Sequence, residues 1–267
     1  MTPPSFTPRV VPPLPRRWRG KYLIERNILA NKAFWPVLVS GFFEPVFYLF
    51  AIGVGIGQLA GDVTVAGIPV DYAAFVAPAM LAASAMNGAV FESTNMFFKL
   101  KYQKIYDAAL ATPMQAMDVA TGEIAWALIR GAFYSLAFLL VMAAMGLIKS
   151  PYGILAFPAT VLIGLAFGAV GTAAITYMRT WQDLDLITLV TLPLFLFSAT
   201  FYPISVYPPF IQTITWLSPL YHGVLLIRGL TLGIFQWTML INVAYLAAMG
   251  AIGSWITGRR IERLLLR

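Results

Sequence analysis

The stretch FYPISVYPPFIQTITWLSPLYHGVLLIRGLTLG, residues 201–233, decides how this chain folds. It lies between two long apolar runs and is itself too apolar for an ordinary loop in water. Prolines at positions 203, 208, 209 and 219 interrupt it, so a single continuous helix is excluded. Irregular backbone at membrane depth persists only where protein or a water-filled path satisfies its polar groups. The pattern therefore predicts one or two short re-entrant helices at the outer face of a membrane protein.

The composition indicates a polytopic helical membrane protein. Of 267 residues, 60% are hydrophobic and 11% are charged, whereas charged residues make up about 25% of an ordinary soluble domain. The mean hydropathy is +0.78. The chain has no cysteine and one histidine, His222. Disulfides, thiolate nucleophiles and metal sites built from cysteine or several histidines are therefore excluded.

The long apolar runs predict an all-α membrane protein with six transmembrane helices. The second run is rich in alanine, glycine and serine, which let helices approach closely, so we expect it inside the bundle. With six spans, 15 of the 18 lysines and arginines fall on one side of the membrane. Because positive residues stay cytoplasmic, both termini are predicted to be cytoplasmic, and the net charge of +7 reflects topology rather than nucleic-acid binding. The runs cover residues 34–57, 72–98, 119–147, 153–177, 184–201 and 236–257.

The two ends of the chain flank this domain. Residues 1–13 are predicted to be a disordered tail, and residues 14–33 an amphipathic helix that lies in the membrane interface. The six-span domain covers residues 34–258, and residues 259–267 form a basic cytoplasmic tail. No cleavable signal peptide is expected, because the beginning of the chain is Pro-rich and basic without a short apolar core. The amphipathic helix is either an anchor alone or also a collar that touches a cytoplasmic partner.

Four ionisable residues are predicted inside the spans, namely Glu44, Glu92, Glu123 and Arg130. Glu123 and Arg130 are seven positions apart and share one helix face. Because a buried charge needs a partner, we expect a charge network, with Glu92, Asp118 or Gln115 as further members. Structural pairing is the favoured interpretation. An ionisable residue inside a span is also a functional candidate, so a transport role for Glu44 stays open.

A short helix is predicted in the cytoplasmic connection between the second and third spans. It covers residues 103–110 and ends before Thr112-Pro113, because the residue before a proline disfavours the helical conformation. Such a segment is either a lever against another protein or a solvated connector, and the spacing alone does not decide between them.

Three motifs follow one another along the chain and carry a family resemblance. They are EPVFYLFAIGVGIG at 44–57, YDAALATPMQAMDVATGEIAW at 106–126, and PLFLFSATFYPISVYPPFIQTITWLSPLYHGVLLIRGLTLG at 193–233. With the layout of an amphipathic helix, six spans and a basic tail, they resemble the ABC-2-type exporter permeases. The resemblance is closest to the nodulation-factor and daunorubicin-exporter-like branch.

The resemblance implies a transport complex in the bacterial plasma membrane, that is, the cell inner membrane. Such permeases pair with a second permease chain, identical or different, and with two copies of a cytoplasmic ATP-binding cassette subunit. They export amphiphilic substrates such as lipids, glycolipids, lipid-linked saccharides or drugs. The segment after the second span resembles the family's coupling helix, which implies an ATPase contact at Tyr106, Asp107, Leu110, Thr112 and Pro113.

The resemblance also assigns the broken segment near the end of the chain to an external re-entrant gate. Its candidate residues are Tyr202, Pro203, Tyr207, Trp216, Pro219, Tyr221 and His222. For each aromatic residue, a place in the interfacial aromatic belt of a membrane protein is an equally good interpretation.

The sequence agrees with a need for a separate ATPase. A phosphate-binding loop requires Gly-Lys followed by Ser or Thr, and the single Gly-Lys pair here, Gly20-Lys21, is followed by Tyr22. We therefore expect no enzymatic activity, cofactor or metal in this chain, with ATP and Mg bound by the partner subunit.

Two other functions are weighed against this one. A proton-coupled secondary carrier would use Glu44, Glu92 or Glu123 as a relay, but the first half has no counterpart of the broken segment. An intramembrane enzyme acting on lipids would need a base or nucleophile, and His222 stands in no known catalytic motif. The acidic pair Asp183 and Asp185 is better explained as a helix cap.

Overall fold

The computed structural model describes residues 18–32, 43 and 46–265, and these residues are mostly helical. The elements in chain order are α1 (Gly20–Asn31), a π-helix (Leu49–Ile56) that continues as α2 (Gly57–Ala60), β1 (Val63–Val65), β2 (Ile68–Val70), α3 (Tyr72–Lys101), α4 (Ile105–Leu110), α5 (Ala116–Ala144), a 3-10 turn (Pro151–Leu155) leading into α6 (Ala156–Ile175), a second (Trp181–Leu184) leading into α7 (Asp185–Leu196), a third (Ile204–Val206), α8 (Pro209–Leu217), α9 (Pro219–Leu232) and α10 (Thr238–Leu265).

The described part of the chain contains four helices that are long and apolar enough to cross a membrane. They cover Tyr72–Lys101, Ala116–Ala144, Pro151–Ile175 and Thr238–Leu264. The prediction of a multi-pass, all-α membrane protein is confirmed at this level. The predicted tail at 1–13 and the residue Glu44 lie outside the described residues, as does part of the first predicted span.

Six spans remain a prediction. The fifth predicted span, 184–201, corresponds to α7, which has 12 residues. At 1.5 Å per residue α7 is about 18 Å long, shorter than the hydrocarbon core of about 30 Å. The helix ends early because Pro193 lies in its last turn and Ala199, with a positive φ of 52°, begins a turn.

The helix α3 forms the centre of the bundle, as its small residues predict. Asp71 starts it by accepting a hydrogen bond from the backbone nitrogen of Ala74 at 3.3 Å. Its alanines and Gly88 let α5 and α6 approach closely, and Gly88 packs directly against Gly131 of α5. Large side chains such as Phe75 fill the remaining space. Most of α3 is therefore buried within this one chain.

Two short strands that the sequence analysis did not predict precede α3. β1 and β2 pair antiparallel, with Val63 opposite Val70 and Val65 opposite Ile68. Ala66 and Gly67 connect them with φ values of 50° and 82°, as a two-residue hairpin turn requires. β-Branched residues flanking a tight turn favour this structure over a helix. We call this side of the bundle the hairpin end, and the opposite side, where α4 lies, the α4 end.

The segment 201–233 contains two short helices, as its prolines predict. Pro209 begins α8 and Pro219 begins α9, each in the first turn where a missing N–H costs nothing. The two helix axes differ by 83°. Ser218 joins them and caps α9 by accepting a hydrogen bond from Tyr221 N at 3.4 Å. The broken character of the segment is confirmed, whereas its re-entrant path remains a prediction.

The contact between α10 and α6 gives a test of the packing. A methyl group at Gly253 would lie 2.7 Å from Val170 N and 2.8 Å from the carbonyl carbon of Ala169. We expect Gly253→Ala to lower the free energy of unfolding by about 1–3 kcal/mol, because the neighbouring atoms are backbone and cannot yield. Thermal unfolding in detergent measures this. Gly131→Ala is the matched control, since its nearest new contact is 3.6 Å from Ala85 O. Equal melting temperatures for both variants would contradict the packing described here.

Candidate functional site

Four charged side chains form a buried network toward the α4 end of the bundle. Arg130 Nη1 lies 2.6 Å from Glu92 Oε2, and Lys99 Nζ lies 3.3 Å from Glu92 Oε1. Lys99 Nζ also lies 2.8 Å from Glu123 Oε2. Two cations therefore balance two carboxylates, which is the condition for keeping charges inside a protein.

Helix geometry explains why these residues meet. Glu92 and Lys99 are two turns apart on α3, and Glu123 and Arg130 are two turns apart on α5, so each pair shares one face. Arg130 Nε is also 3.1 Å from the hydroxyl of Tyr134. Among the described residues, the network thus joins α3 to α5 by polar contacts as well as by apolar packing.

Arg130 pairs with Glu92 on the neighbouring helix, which is one of the partners expected for it. The network differs from the expected one in its fourth member. Lys99, which the span boundaries left in a loop, belongs to the last turn of α3 and is the fourth member. Its spacing of seven from Glu92 is the signal that could have identified it. Asp118 instead caps α5, where it accepts a hydrogen bond from Gln115 N at 3.1 Å.

Glu44 was the fourth residue expected in the network, and it lies outside the described residues.

The predicted coupling segment divides into a buried and an exposed part. Tyr106 is 1% exposed and packs in a cluster with Leu23 of α1, Met96 of α3 and Ile261 of α10. Leu110 is partly buried against the same cluster. The remaining three residues that the resemblance placed at an ATPase contact are exposed, namely Asp107, Thr112 and Pro113.

Tyr106 connects α4 to the charge network. Its hydroxyl and Glu123 Oε1 are both buried and have no hydrogen-bond partner at normal distance within the described part of the chain. The two groups nevertheless interact, since burial first and the nearby Glu123 carboxylate second raise the pKa of the Tyr106 phenol well above its usual value of 10.0. The phenol therefore stays protonated, as a hydrogen-bond donor beside the Glu123 carboxylate.

The helix α1 lies against the beginning of α5. Trp18 Nε1 donates to Thr121 Oγ1 at 3.0 Å, and Arg19 N lies 3.3 Å from Asp118 Oδ1. Gly122 allows this approach, because a methyl group there would lie 2.9 Å from Gly20 O. The opposite face exposes Tyr22, Ile28 and Leu29. The helix is observed over Gly20–Asn31, within the predicted range 14–33, and its exposed apolar face suits a membrane interface.

The predicted gate residues form two groups. Tyr202 and Tyr207 face each other before α8, with ring centroids 5.7 Å apart. Trp216, Tyr221 and His222 meet at the elbow between α8 and α9, where the rings of Trp216 and Tyr221 are 5.4 Å apart. Pro203 and Pro219 act through the backbone, since each stands at the beginning of a helical turn.

His222 holds the elbow against α10. Its Nδ1 lies 2.7 Å from Asn242 Oδ1, and its Nε2 lies 3.0 Å from Trp216 O. Its ring stacks on Tyr245 with centroids 4.3 Å apart. Asn242 and Tyr245 were missed by the sequence reasoning, because only the folded chain brings α10 to this elbow. With both nitrogens engaged, His222 is a structural residue here and not a free base.

A groove of about 210 Å³ lies between α3, α7 and Tyr48, which immediately precedes the π-helix. Ser84 is buried there and its hydroxyl has no hydrogen-bond partner among the described residues. The described lining combines hydroxyl and amide groups with apolar and aromatic ones and contains no charged side chain. Such a surface suits an amphiphile. The lining residues are Tyr48, Met80, Ala83, Ser84, Asn87, Thr188, Thr191, Leu192 and Phe195.

Asp183, in the loop before α7, is a cap, as expected. Asp183 accepts hydrogen bonds from Arg179 N at 2.7 Å and from Thr180 N at 3.0 Å. The hydrogen bond from Thr180 first, and then that from Arg179, hold the pKa of the Asp183 carboxyl below its usual value of 3.8. Asp183 is therefore an ionised cap, and Asp185 lies in the first turn of α7.

Comparison with known proteins places the chain among transport permeases. Residues 20–232 match the family model described as ABC-2 type transporter. Nodulation protein J of Sinorhizobium fredii is 30% identical over 261 residues, which cover 96% of this chain and 97% of that protein. Nodulation protein J of Rhizobium leguminosarum bv. trifolii is 32% identical over 253 residues, covering 94% and 93%. The inner membrane transport permease YadH of Escherichia coli K12 is 24% identical over 190 residues, covering 69% and 71%.

The charge network gives a test that needs no partner. Glu92→Gln removes the carboxylate that neutralises the buried Arg130, so we expect a loss of about 3–5 kcal/mol in the free energy of unfolding. Thermal unfolding and monodispersity in detergent measure this loss. Glu262→Gln is the control, because Glu262 is exposed on α10. The double variant Glu92→Met, Arg130→Met should recover most of the stability. A Glu92→Gln protein as stable as the parent would contradict a balanced network.

Proposed function

We propose that this chain, which belongs to the ABC-2 type transporter family, is the permease subunit of an ATP-driven exporter. Family membership confirms the resemblance drawn from the three motifs, and the four long apolar helices make the chain a multi-pass membrane protein. The observation that carries the proposal further is the division of the coupling segment. Its exposed residues, Asp107, Thr112 and Pro113, are accessible to another protein. Tyr106, in contrast, is buried next to Glu123 of the charge network.

An ATP-binding cassette subunit is the partner that this family generally implies. We propose two copies of it, each contacting one of two permease chains through Asp107, Thr112 and Pro113. These residues are exposed and contiguous around the end of α4. The sequence has no phosphate-binding loop of its own, which supports assignment of ATP and Mg to the partner.

The distribution of charge supports an orientation with the α4 end in the cytoplasm. Lys101 and Lys104 lie beside α4, and Arg259 and Arg263 lie in the last part of α10, which ends at the same side. Positive residues near membrane-spanning helices stay cytoplasmic. The proposed orientation therefore has both termini inside a bacterial inner membrane and the hairpin end outside.

The proposed mechanism uses α3 as the element that connects both ends. Closure of the ATPase dimer displaces α4, and Tyr106 transfers that displacement to Glu123 and the network. At the hairpin end, Tyr72 of α3 donates its hydroxyl hydrogen to Phe201 O at 3.1 Å. A shift of α3 thus moves the segment before α8. Rigid helices with two packing arrangements transmit such motions.

The proposed substrate is an amphiphile of the kind that includes lipids, glycolipids, lipid-linked saccharides and drugs. The groove beside Ser84 offers neutral polar groups next to apolar ones. Two relatives carry the name nodulation protein J and one is named a transport permease. Export is the direction proposed.

A proton-coupled carrier is less well supported. Glu92 contacts two cations and Glu123 contacts one, and this pairing is the arrangement of a structural charge network. An intramembrane enzyme is also less well supported, because both nitrogens of His222 are engaged.

The proposed ATPase contact is tested by co-purification from native membranes. We expect the parent chain to retain an ATP-binding cassette subunit, and Asp107→Arg to lose it about tenfold because the change reverses an exposed charge at the interface. Asp62→Arg is the matched control, since Asp62 is exposed next to the strands at the hairpin end. Mass spectrometry of the purified material measures the retained subunit. A parent chain that purifies alone, or an Asp107→Arg chain that keeps its partner in full, would contradict the proposal.

A further inference from the structure

A second cavity, of about 230 Å³, lies at the hairpin end, apart from the groove beside Ser84. It is enclosed by the turn of the hairpin, the middle of α9 and the beginning of α10. Its lining residues are Val65, Ala66, Leu225, Arg228, Gly229, Ile234, Gln236, Thr238, Met239 and Asn242.

Arg228 is a buried cation at the wall of this cavity. It is 5% exposed, and within the described residues no carboxylate lies within ion-pair distance of it. Its Nε and Nη2 donate to Phe75 O at 3.3 and 3.1 Å, and Nη2 donates to Ala199 O at 3.0 Å. Its guanidinium also lies 3.8 Å from the ring centroid of Phe75. Carbonyl groups and a ring face supply only partial negative charge, so the positive charge of Arg228 is not neutralised.

Asn242 provides an independent observation. It is 1% exposed, and its Nδ2 has no hydrogen-bond partner in the described part of the chain. Its Oδ1 is occupied by His222 Nδ1 at 2.7 Å. A buried amide donor without an acceptor is costly and rare. It lies at the wall of the same cavity as Arg228.

The other polar groups of the cavity are also oriented as donors. Thr238 donates to Gln236 Oε1 at 3.3 Å, which leaves the amide nitrogen of Gln236 as its remaining polar group. An anion in the cavity would therefore accept hydrogen bonds from Arg228, Asn242 and Gln236, and it would neutralise Arg228.

We propose that this cavity binds a phosphate group, with Arg228 Nη1 and Asn242 Nδ2 as its central donors. Arg228 Nη1 has no acceptor among the described residues, and donors from several directions match the several oxygens of a phosphate. The apolar part of the lining, Leu225, Ile234 and Met239, leaves room for a glycerol or acyl portion. The source is a phospholipid head group or free phosphate.

The neighbouring aromatic residues fit a cavity at the depth of the head groups. Phe235 and Trp237 flank Gln236 in sequence and are 53% and 87% exposed. Exposed aromatic residues of this kind collect at the membrane–water interface. This site is independent of the ATPase contact and of the transported substrate, so it goes beyond the proposed function.

Native mass spectrometry tests the site on the purified chain in dodecyl maltoside, which contains no phosphate. Dioleoylphosphatidylglycerol is added in one sample and monoglucosyl dioleoylglycerol, which has the same acyl chains and no phosphate, in another. We expect retention of the phosphate lipid to exceed that of the glucosyl lipid by about tenfold. Equal retention of the two lipids would overturn the proposal.

Two substitutions locate the retained lipid. Asn242→Asp keeps the oxygen that contacts His222 and places a carboxylate in the cavity. Gln236→Glu places a carboxylate at a second position of the lining. Each should lower retention of the phosphate lipid about tenfold, because the new carboxylate repels the phosphate group and neutralises Arg228 in its place. Gln182→Glu makes the same chemical change at an exposed position and should retain the lipid as the parent does. Full retention by Asn242→Asp would overturn the proposal.

Inorganic phosphate distinguishes the two sources. If millimolar phosphate without any phospholipid raises the melting temperature of the parent but not of Asn242→Asp, the site takes free phosphate. If only phosphatidylglycerol does so, the site takes the lipid head group. Either result supports a phosphate site. A melting temperature that neither addition changes would overturn it.

Discussion

The carboxylate of Glu92 lies between two cations, and the packing of the whole bundle depends on keeping it paired. Without it, Arg130 would be a buried charge without a carboxylate partner among the described residues. The same carboxylate contacts Lys99, which in turn contacts Glu123. Because these contacts join two long helices, a displacement of one helix moves the other. A network of this kind stabilises the fold and also transmits motion.

The helix α3 extends this constraint across the membrane. It has 30 residues and is about 45 Å long. At one end it takes part in the charge network. At the other, Tyr72 contacts Phe201 O, and Phe75 O accepts from Arg228. Pro78 lies within the helix near these contacts, where a missing backbone hydrogen bond permits bending. The proposed coupling segment and the proposed external gate are therefore attached to one element.

Local chemistry explains which features could be predicted from the sequence. Pro209 and Pro219 predict the beginnings of α8 and α9, because proline is favoured in the first turn of a helix, where its missing N–H costs nothing. Glu92, Glu123 and Arg130 were predicted to pair, since charges inside spans need partners. Lys99 was missed because the predicted span ended one residue before it, although the helix continues to Lys101. Asn242 meets His222 only through the tertiary fold, which no pattern within one helix reveals.

The link between Tyr106 and the network is the central claim of the proposed mechanism. Because the chain has no cysteine, spin labels can be attached at Asp62→Cys and Val206→Cys, both exposed and both at the hairpin end. Pulsed electron resonance on the complex with its ATPase would measure the distance between them with ATP and with ADP. We predict that ATP changes this distance in the parent but not in Tyr106→Phe, while both hydrolyse ATP. The same change in both proteins would contradict the claim.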